Sequence, residues 1–199
     1  MRFDYSGHGA SSGDFLEGAI GDWFADAQAA ILTLTEGPQV IVGSSMGGWI
    51  SLLMARAHPA KVAGLVTIAA APDFTEDGLW AGFSQTQREE LLERGQLAVP
   101  SGYSDAPYII TRRLIEEGRQ NLVLRRPLAL GGAVRFLQGT ADADVPVQVA
   151  LKLMDHVDGD DIRLTLVKGA DHRFSTPDCL RLIEATVQKV VARAERNNG

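Results

Sequence analysis

Apolar positions along this chain recur with two periods. Between residues 20 and 34 they fall at Ile20, Trp23, Phe24, Ala27, Ile31 and Leu34. Steps of three and four predict an amphipathic helix with one face on a core, and Gly37-Pro38 ends it. Elsewhere the apolar residues run continuously. Val40-Ile41-Val42 predicts a buried strand, and residues 61–70, 134–138 and 162–167 predict three more. Helical segments separate them, at 49–57, stopped before Pro59, and at 147–157. Ser175-Thr176-Pro177-Asp178 is a helix start, with a cap residue, a proline in the first turn and then an acid. Leu180, Ile183, Val187, Val190 and Val191 give that terminal helix its apolar stripe. At the other end, Arg2-Phe3-Asp4-Tyr5 looks like the end of a strand and Ser6-Gly7-His8-Gly9 like a turn. Strand, helix, strand at this spacing is a βαβ unit, so an α/β fold is expected, with a mainly parallel sheet and helices on both faces.

The stretch between Ala70 and Val134 is far longer than a plain crossover needs. It has helical patterns of its own at 85–94 and 108–117, parted by Pro100-Ser101-Gly102. Aromatic residues are scattered through it: Phe74, Trp80, Phe83, Tyr103 and Tyr108. We expect a helical cap inserted over the sheet at about residues 72–130, within a single domain spanning 1–199.

Composition narrows the function classes. The chain is 45% hydrophobic and 22% charged, which suits a folded domain with a sizeable core. A net charge of −6 leaves no basic footprint for nucleic acid. One cysteine, Cys179, excludes an internal disulfide framework and reads as a small buried residue; no Cys/His cluster has metal-ligand spacing. With no signal peptide and no apolar run long enough to span a bilayer, a cytoplasmic protein is expected.

The candidate chemistry sits where the apolar pattern changes period. Gly43-Ser44-Ser45-Met46-Gly47 fits G-x-S-x-G between a strand and a helix, the context of a nucleophile elbow. Glycines on either side of Ser45 let strand and helix approach around a strained turn. The turn lifts the Ser45 hydroxyl out of the sheet and leaves the Met46 amide at a helix start, where it can meet an oxyanion. A phosphate loop would need a G-x-x-x-x-G-K-[ST] pattern, and no lysine lies nearby. A serine needs a base and an orienting acid. Of the four histidines, His58 ends the elbow helix, His156 lies within a helix and His8 lies in the first turn. His172 follows the last strand in a loop, the end of a parallel sheet where chemistry is placed. After the preceding strand come Asp142 and Asp144. Asp142 sits in the turn, and Asp144 is near enough to the next helix to cap it, so Asp142 is preferred. The order is then Ser45, Asp142, His172.

With these residues assembled, the chain resembles the α/β-hydrolase superfamily from residue 1 to the end of its terminal helix. Arg2 to Ser11 is similar to that superfamily's turn after its fourth strand, and Gly43 to Gly47 to its elbow. Gly139-x-x-Asp142-x-x-Val145-Pro146 is similar to its acid turn, and Asp171-His172 to its base turn. The acid-turn match selects Asp142 over Asp144. More narrowly, Phe3 to Gly9 and Ile110 to Glu116 resemble the branch that contains a mitochondrial palmitoyl-protein thioesterase and is associated with hydrolysis of acyl-glucuronides. The resemblance implies acyl transfer from a small-molecule ester or acylated substrate to water, with no cofactor and no metal. It also implies an N-terminal truncation. Members carry further strands before the point where this chain starts, and the turn after their third strand supplies a second oxyanion amide.

Two classes of function stand on this reading. One is a serine esterase or thioesterase; the other is a non-catalytic fragment or binding module of the same fold, lacking a complete oxyanion hole. Within the cap, Tyr103 and Tyr108 are candidates to line a substrate pocket. Arg112 and Arg113 are candidates to meet an anionic leaving group, or else form a solvated basic turn beside Glu116 and Glu117.

Overall fold

The structure, a computed structural model, describes residues 1–100 and 105–198. Its strands in chain order are β1 (Gln39–Ser44), β2 (Val62–Ile68), β3 (Gln96–Val99), β4 (Tyr108–Thr111), β5 (Leu128–Ala129), β6 (Ala133–Gly139), β7 (Val157–Asp158) and β8 (Asp161–Val167). Its α-helices are α1 (Ile20–Leu34), α2 (Met46–Ala57), α3 (Gln85–Arg94), α4 (Arg112–Gly118), α5 (Val147–His156) and α6 (Pro177–Asn198). The chain divides into two compact units, Met1–Thr33 with Asp73–Leu122, and Leu34–Pro72 with Val123–Gly199.

The second unit holds a four-stranded parallel sheet in the order β1-β2-β6-β8. Side chains alternate across a strand, and this alternation assigns the helices to faces. Gly43 of β1 stands beside Thr67 of β2, and a Cβ on Gly43 would run into Gly47 and Ser51 of α2. Gly64, three residues before Thr67, therefore points to the opposite face, where its Cβ would stand 2.5 Å from Val190 of α6. Helices thus cover both faces. On the α6 face Val66, Ile68, Ala133 and Leu137 pack with Phe174, Cys179 and Val190 into a buried core. Cys179 is a buried free thiol, as expected. β1 lies at an edge of the sheet, so Val40–Val42 is less buried than expected: with β2 alone beside it among the described residues, Val42 is 46% exposed.

The first unit is organised by an aromatic cluster and by caps. Trp23 of α1 stacks on Phe15, His8 meets both rings edge-on, and Phe15 meets Tyr108 in the same way. The Trp23 indole donates to Ser6 O at 3.1 Å, joining helix to turn. Residues 1–5, expected to end a strand, pair with no strand among the described residues. Phe3 and Tyr5 stack edge-to-face, and Asp4 takes the Ala10 amide and the Ser11 hydroxyl into the turn. The helix expected over 108–117 begins only at Arg112. Its β-branched start, Tyr108–Thr111, pairs antiparallel with β3 instead, and the Thr111 hydroxyl then caps α4 through Leu114 N. A π-helical turn, Phe74–Trp80, and the short parallel pair β5–β7 carry no sequence pattern that announces them.

Burial, and after it the nearby Asp26 carboxylate, push the Tyr5 phenol up to about 12. The folded chain holds this proton more tightly than the unfolded chain, whose phenol titrates near 10. The contribution of neutral Tyr5 is therefore complete below that value and is lost as the pH climbs toward 12. Denaturant unfolding measured across this range should show Tyr5→Phe losing less stability with rising pH than the parent. Identical slopes would rule out Tyr5 as the titrating group.

Candidate active site

The elbow is the strained point of the sheet. Ser45 sits at φ 52°, ψ −119°, a region that costs a non-glycine residue about 1–3 kcal/mol. Its backbone is held on both sides by β2 and the residues after it. Ser45 N donates to Ile68 O at 2.9 Å, and Ser45 O accepts from Ala71 N at 3.1 Å and from Gly48 N at 2.9 Å. Ala69, itself at φ 47°, turns the chain so that Ala71 can reach this carbonyl. Two glycines make the approach feasible: the close neighbours of Gly43 are Gly47 and Ser51, and a Cβ on Gly48 would lie 2.7 Å from the Ala70 Cβ. Met46 is the first residue of α2, so its amide has no intrahelical acceptor and lies at the positive end of the helix.

The candidate acid and base follow the ends of the next two strands. β6 closes at Gly139 and β8 at Val167, and the turns that follow are stitched together. Thr140 N donates to Val167 O and Ala141 N to Ala170 O, both at 3.0 Å, while Gly169 N donates to the Thr140 hydroxyl at 2.9 Å. Gly139 has to lack a side chain, because a Cβ there would collide with Ala170 O. Asp142, its side chain fully buried, accepts at Oδ1 from Asp144 N (3.0 Å) and Val145 N (2.8 Å). His172 Nδ1 lies 2.9 Å from Oδ2 and 3.1 Å from Oδ1, and its Nε2 lies 3.0 Å from Ser45 Oγ. With Nδ1 donating to the carboxylate, Nε2 carries the lone pair that can take the serine proton.

The remaining sequence candidates have contacts of their own. His58 ends α2, His156 Nε2 lies 2.8 Å from Arg126 O, and His8 belongs to the aromatic cluster of the other unit. Asp144 serves Asp142 through its backbone amide. Tyr108, Arg112 and Arg113 also belong to the other unit. Tyr108 is 50% exposed, with burial of the rest of its ring raising the phenol. Arg112 pairs with Glu116 at 2.6 Å. Arg113 grips both oxygens of Asp22 and also donates to Glu17 O; these hydrogen bonds hold the Asp22 carboxyl below its ordinary range. Tyr103 lies outside the described residues.

Asp142, Asp144 and His172 bring ligand atoms within 4.8 Å of one another. The Asp142 oxygens are already engaged by two amides, by His172 and by Gln138, so this donor set suits the orientation of an imidazole better than the capture of a cation. No described helix is long and apolar enough to cross a membrane.

Two residues at the site escape sequence reasoning. Gln138, 1% exposed, donates through Nε2 to Asp142 Oδ2 at 2.9 Å. Its one signal is a polar residue closing an apolar strand. Phe174, fully buried at φ 50°, turns the chain after His172 and anchors the loop in the core while the imidazole faces Ser45. Phe174 N donates to Asp171 Oδ1 at 3.1 Å, which supports that turn.

Comparison with known proteins gives the family of the chain. Residues 1–113 match the family described as serine aminopeptidase, S33. The palmitoyl-protein thioesterase ABHD10, mitochondrial, of Mus musculus is 35% identical over 192 residues, which cover 96% of this chain and 64% of that protein. The Homo sapiens protein of the same name is 33% identical over 195 residues, covering 96% and 62%. The chain thus spans less than two thirds of the length of these curated relatives. Among solved structures, a hydrolase from Agrobacterium vitis S4 aligns with a TM-score of 0.90 at 43% identity, covering 95% of this chain and 75% of that one. Mouse alpha/beta hydrolase domain-containing protein 10 aligns with a TM-score of 0.88 at 33% identity, covering 96% and 76%. The curated relatives are mitochondrial by name, which overturns the expected cytoplasmic location. That expectation rested on finding no leader, and a compartment is set by a targeting signal that the fold does not encode.

Ser45→Ala should remove turnover of short p-nitrophenyl esters, and His172→Ala should come close to it, with the double variant little worse than either alone. Asp142→Asn should cost about four decades in kcat through the wrong imidazole tautomer. Asp144→Asn should cost less than about tenfold, because its contribution is a backbone amide. Steady-state kinetics decide the ranking, and a larger loss at Asp144 would move the acid there.

Proposed function

The chain belongs to the α/β-hydrolase family described as serine aminopeptidase, S33, and we propose on that footing that it cleaves carboxylic ester or thioester bonds through an acyl-serine intermediate. The observation that carries the proposal is the unbroken line of hydrogen bonds from Ser45 Oγ through His172 to Asp142. Ser45 Oγ attacks the acyl carbon as its proton passes to His172 Nε2. The carbonyl oxygen takes the negative charge and meets the Met46 amide. Collapse of this adduct breaks the bond to the leaving oxygen or sulfur, which departs with the proton from Nε2. Water then gives a proton to Nε2 and attacks the acyl-serine, and a second collapse frees the acid and returns the proton to Ser45. Asp142 stays ionised throughout, orienting the ring and stabilising the imidazolium.

The relatives named palmitoyl-protein thioesterase support an acylated protein or peptide as substrate, with the acyl-glucuronide activity implied by the branch resemblance as the second candidate. The two differ in their leaving group, a thiol against a sugar hydroxyl beside a carboxylate. The ion pairs of Arg112 and Arg113 support a role within their own unit rather than on a substrate carboxylate.

The purified chain should be labelled at Ser45 by a fluorophosphonate, and Ser45→Ala should not. Assayed side by side, an S-palmitoyl peptide should be turned over faster than an acyl-glucuronide. The reverse order would identify the glucuronide as the better substrate, and absence of labelling would remove the hydrolase assignment. Arg113→Ala should lower the melting temperature and change kcat/KM for the glucuronide and for a neutral ester by the same factor. A loss confined to the glucuronide would place Arg113 at the leaving group.

A further inference from the structure

Gln138 occupies the next-to-last position of β6 on the same face as Phe136, where an apolar side chain would complete the strand pattern. It is polar there, 1% exposed, and unevenly satisfied. Nε2 donates to Asp142 Oδ2 and Val145 O, each at 2.9 Å, and to Gly139 O at 3.2 Å, while the equally buried Oε1 meets no donor among the described residues. The orientation of the amide follows from its surroundings. Turned over, Oε1 would face a carboxylate and two carbonyls, all acceptors, so the nitrogen has to point at the site. A buried amide oxygen left without a partner is a penalty that packing alone gives no reason to keep.

We infer that Gln138 is a positioning residue for the acid, holding the plane of the Asp142 carboxylate so that both oxygens face His172 Nδ1. This inference rests on the serine-hydrolase reading given above. The two backbone amides, Asp144 N and Val145 N, both bind Oδ1. A carboxylate fixed at one oxygen can pivot about it. Among the described residues Gln138 joins His172 as a donor on Oδ2, and it opposes that pivot. Its further bonds to Gly139 O and Val145 O tie the same amide to the strand end and to the far side of the acid turn, so the strand end, the carboxylate and the turn are located together. The bond to Oδ2 is charge-assisted and wholly buried, the setting in which such bonds are strongest.

Three variants test this in the intact chain, with kcat expressed per active site from the burst of product on a short ester. Gln138→Met keeps the volume and removes the donor. It should lower kcat about tenfold, the effect of losing one charge-assisted hydrogen bond, with KM changed less than about twofold. Gln138→Glu keeps the shape but sets a second carboxyl against Asp142, and it should lower kcat further than Gln138→Met. The far-downfield proton resonance of His172 Nδ1 should shift or broaden in both. A residue that only fills space would give a Gln138→Met variant with the kcat of the parent and an unmoved resonance, and that result overturns the inference. If Gln138→Met does not fold, Gln138→Leu is read by the same kinetics and resonance. A parent chain that neither turns over esters nor labels at Ser45 overturns the hydrolase reading instead, while the resonance still reports on Gln138.

Discussion

The arrangement at the carboxyl end of the sheet depends on Ser45 keeping a backbone conformation that a relaxed L-residue leaves. That conformation turns the chain from β1 into α2 within one residue, which raises the hydroxyl above the sheet and brings the first amides of α2 beneath it. Strain of this kind persists only when the surroundings over-determine it. Here both backbone groups of Ser45 are bonded to β2 and the residues that follow it, and α2 presses against β1 and Ala70 at Gly43 and Gly48. The clamp transmits rigidity in both directions. β2 cannot move away without freeing the elbow, and α2 cannot lift without losing contact along two glycines.

The same logic of mutual restraint governs the acid and the base. Neither turn is held by its own strand alone. Hydrogen bonds between the Thr140–Ala141 and Val167–Ala170 segments make one rigid body of two loops, and the bare Gly139 lets them touch. The imidazole is located from three directions: Phe174 anchors its loop in the core, Asp142 holds Nδ1, and Ser45 lies at Nε2. Under the proposed proton transfer only small errors in these distances would be tolerated, and the hydrogen bonds converging on the Asp142 carboxylate meet that demand. The cost is a buried, partly unsatisfied amide at Gln138 and left-handed backbone at Ser45, Ala69 and Phe174.

The other unit shows a different economy of interactions. Beside the amphipathic α1, its helices α3 and α4 are short, and terminal caps and ion pairs help to order it: the Ser84–Gln87 capping box, the Thr111 cap, and Arg113 on Asp22. Its aromatic cluster adds to the apolar burial of Ile20, Leu91, Ile110 and Ile115. Exposed pairs of this sort contribute little one by one, so the order of the unit rests more on its buried apolar residues, Trp23, Ile20, Leu91 and Ile115 among them.

By itself the sequence determined the elements whose periodicity is strong and whose contacts are local. The helices 20–34 and 85–94, the strands β2, β6 and β8, and the elbow with Ser45 and Met46 are all legible, because each is written as a hydrophobic period bounded by glycine, proline or a cap. Strand order along the chain was enough to nominate Asp142 and His172. The tertiary structure alone decided what depends on neighbours distant in sequence. Tyr108–Thr111 is a strand because β3 lies beside it. Val42 is exposed because β1 has β2 alone beside it among the described residues, where residues 1–5 likewise find rings and a turn rather than a strand. Arg112 and Arg113, free to meet a substrate anion in the sequence, are committed to Glu116 and Asp22. Gln138, unremarked as a letter, is joined to Asp142 because a buried donor turns toward a charge within its reach.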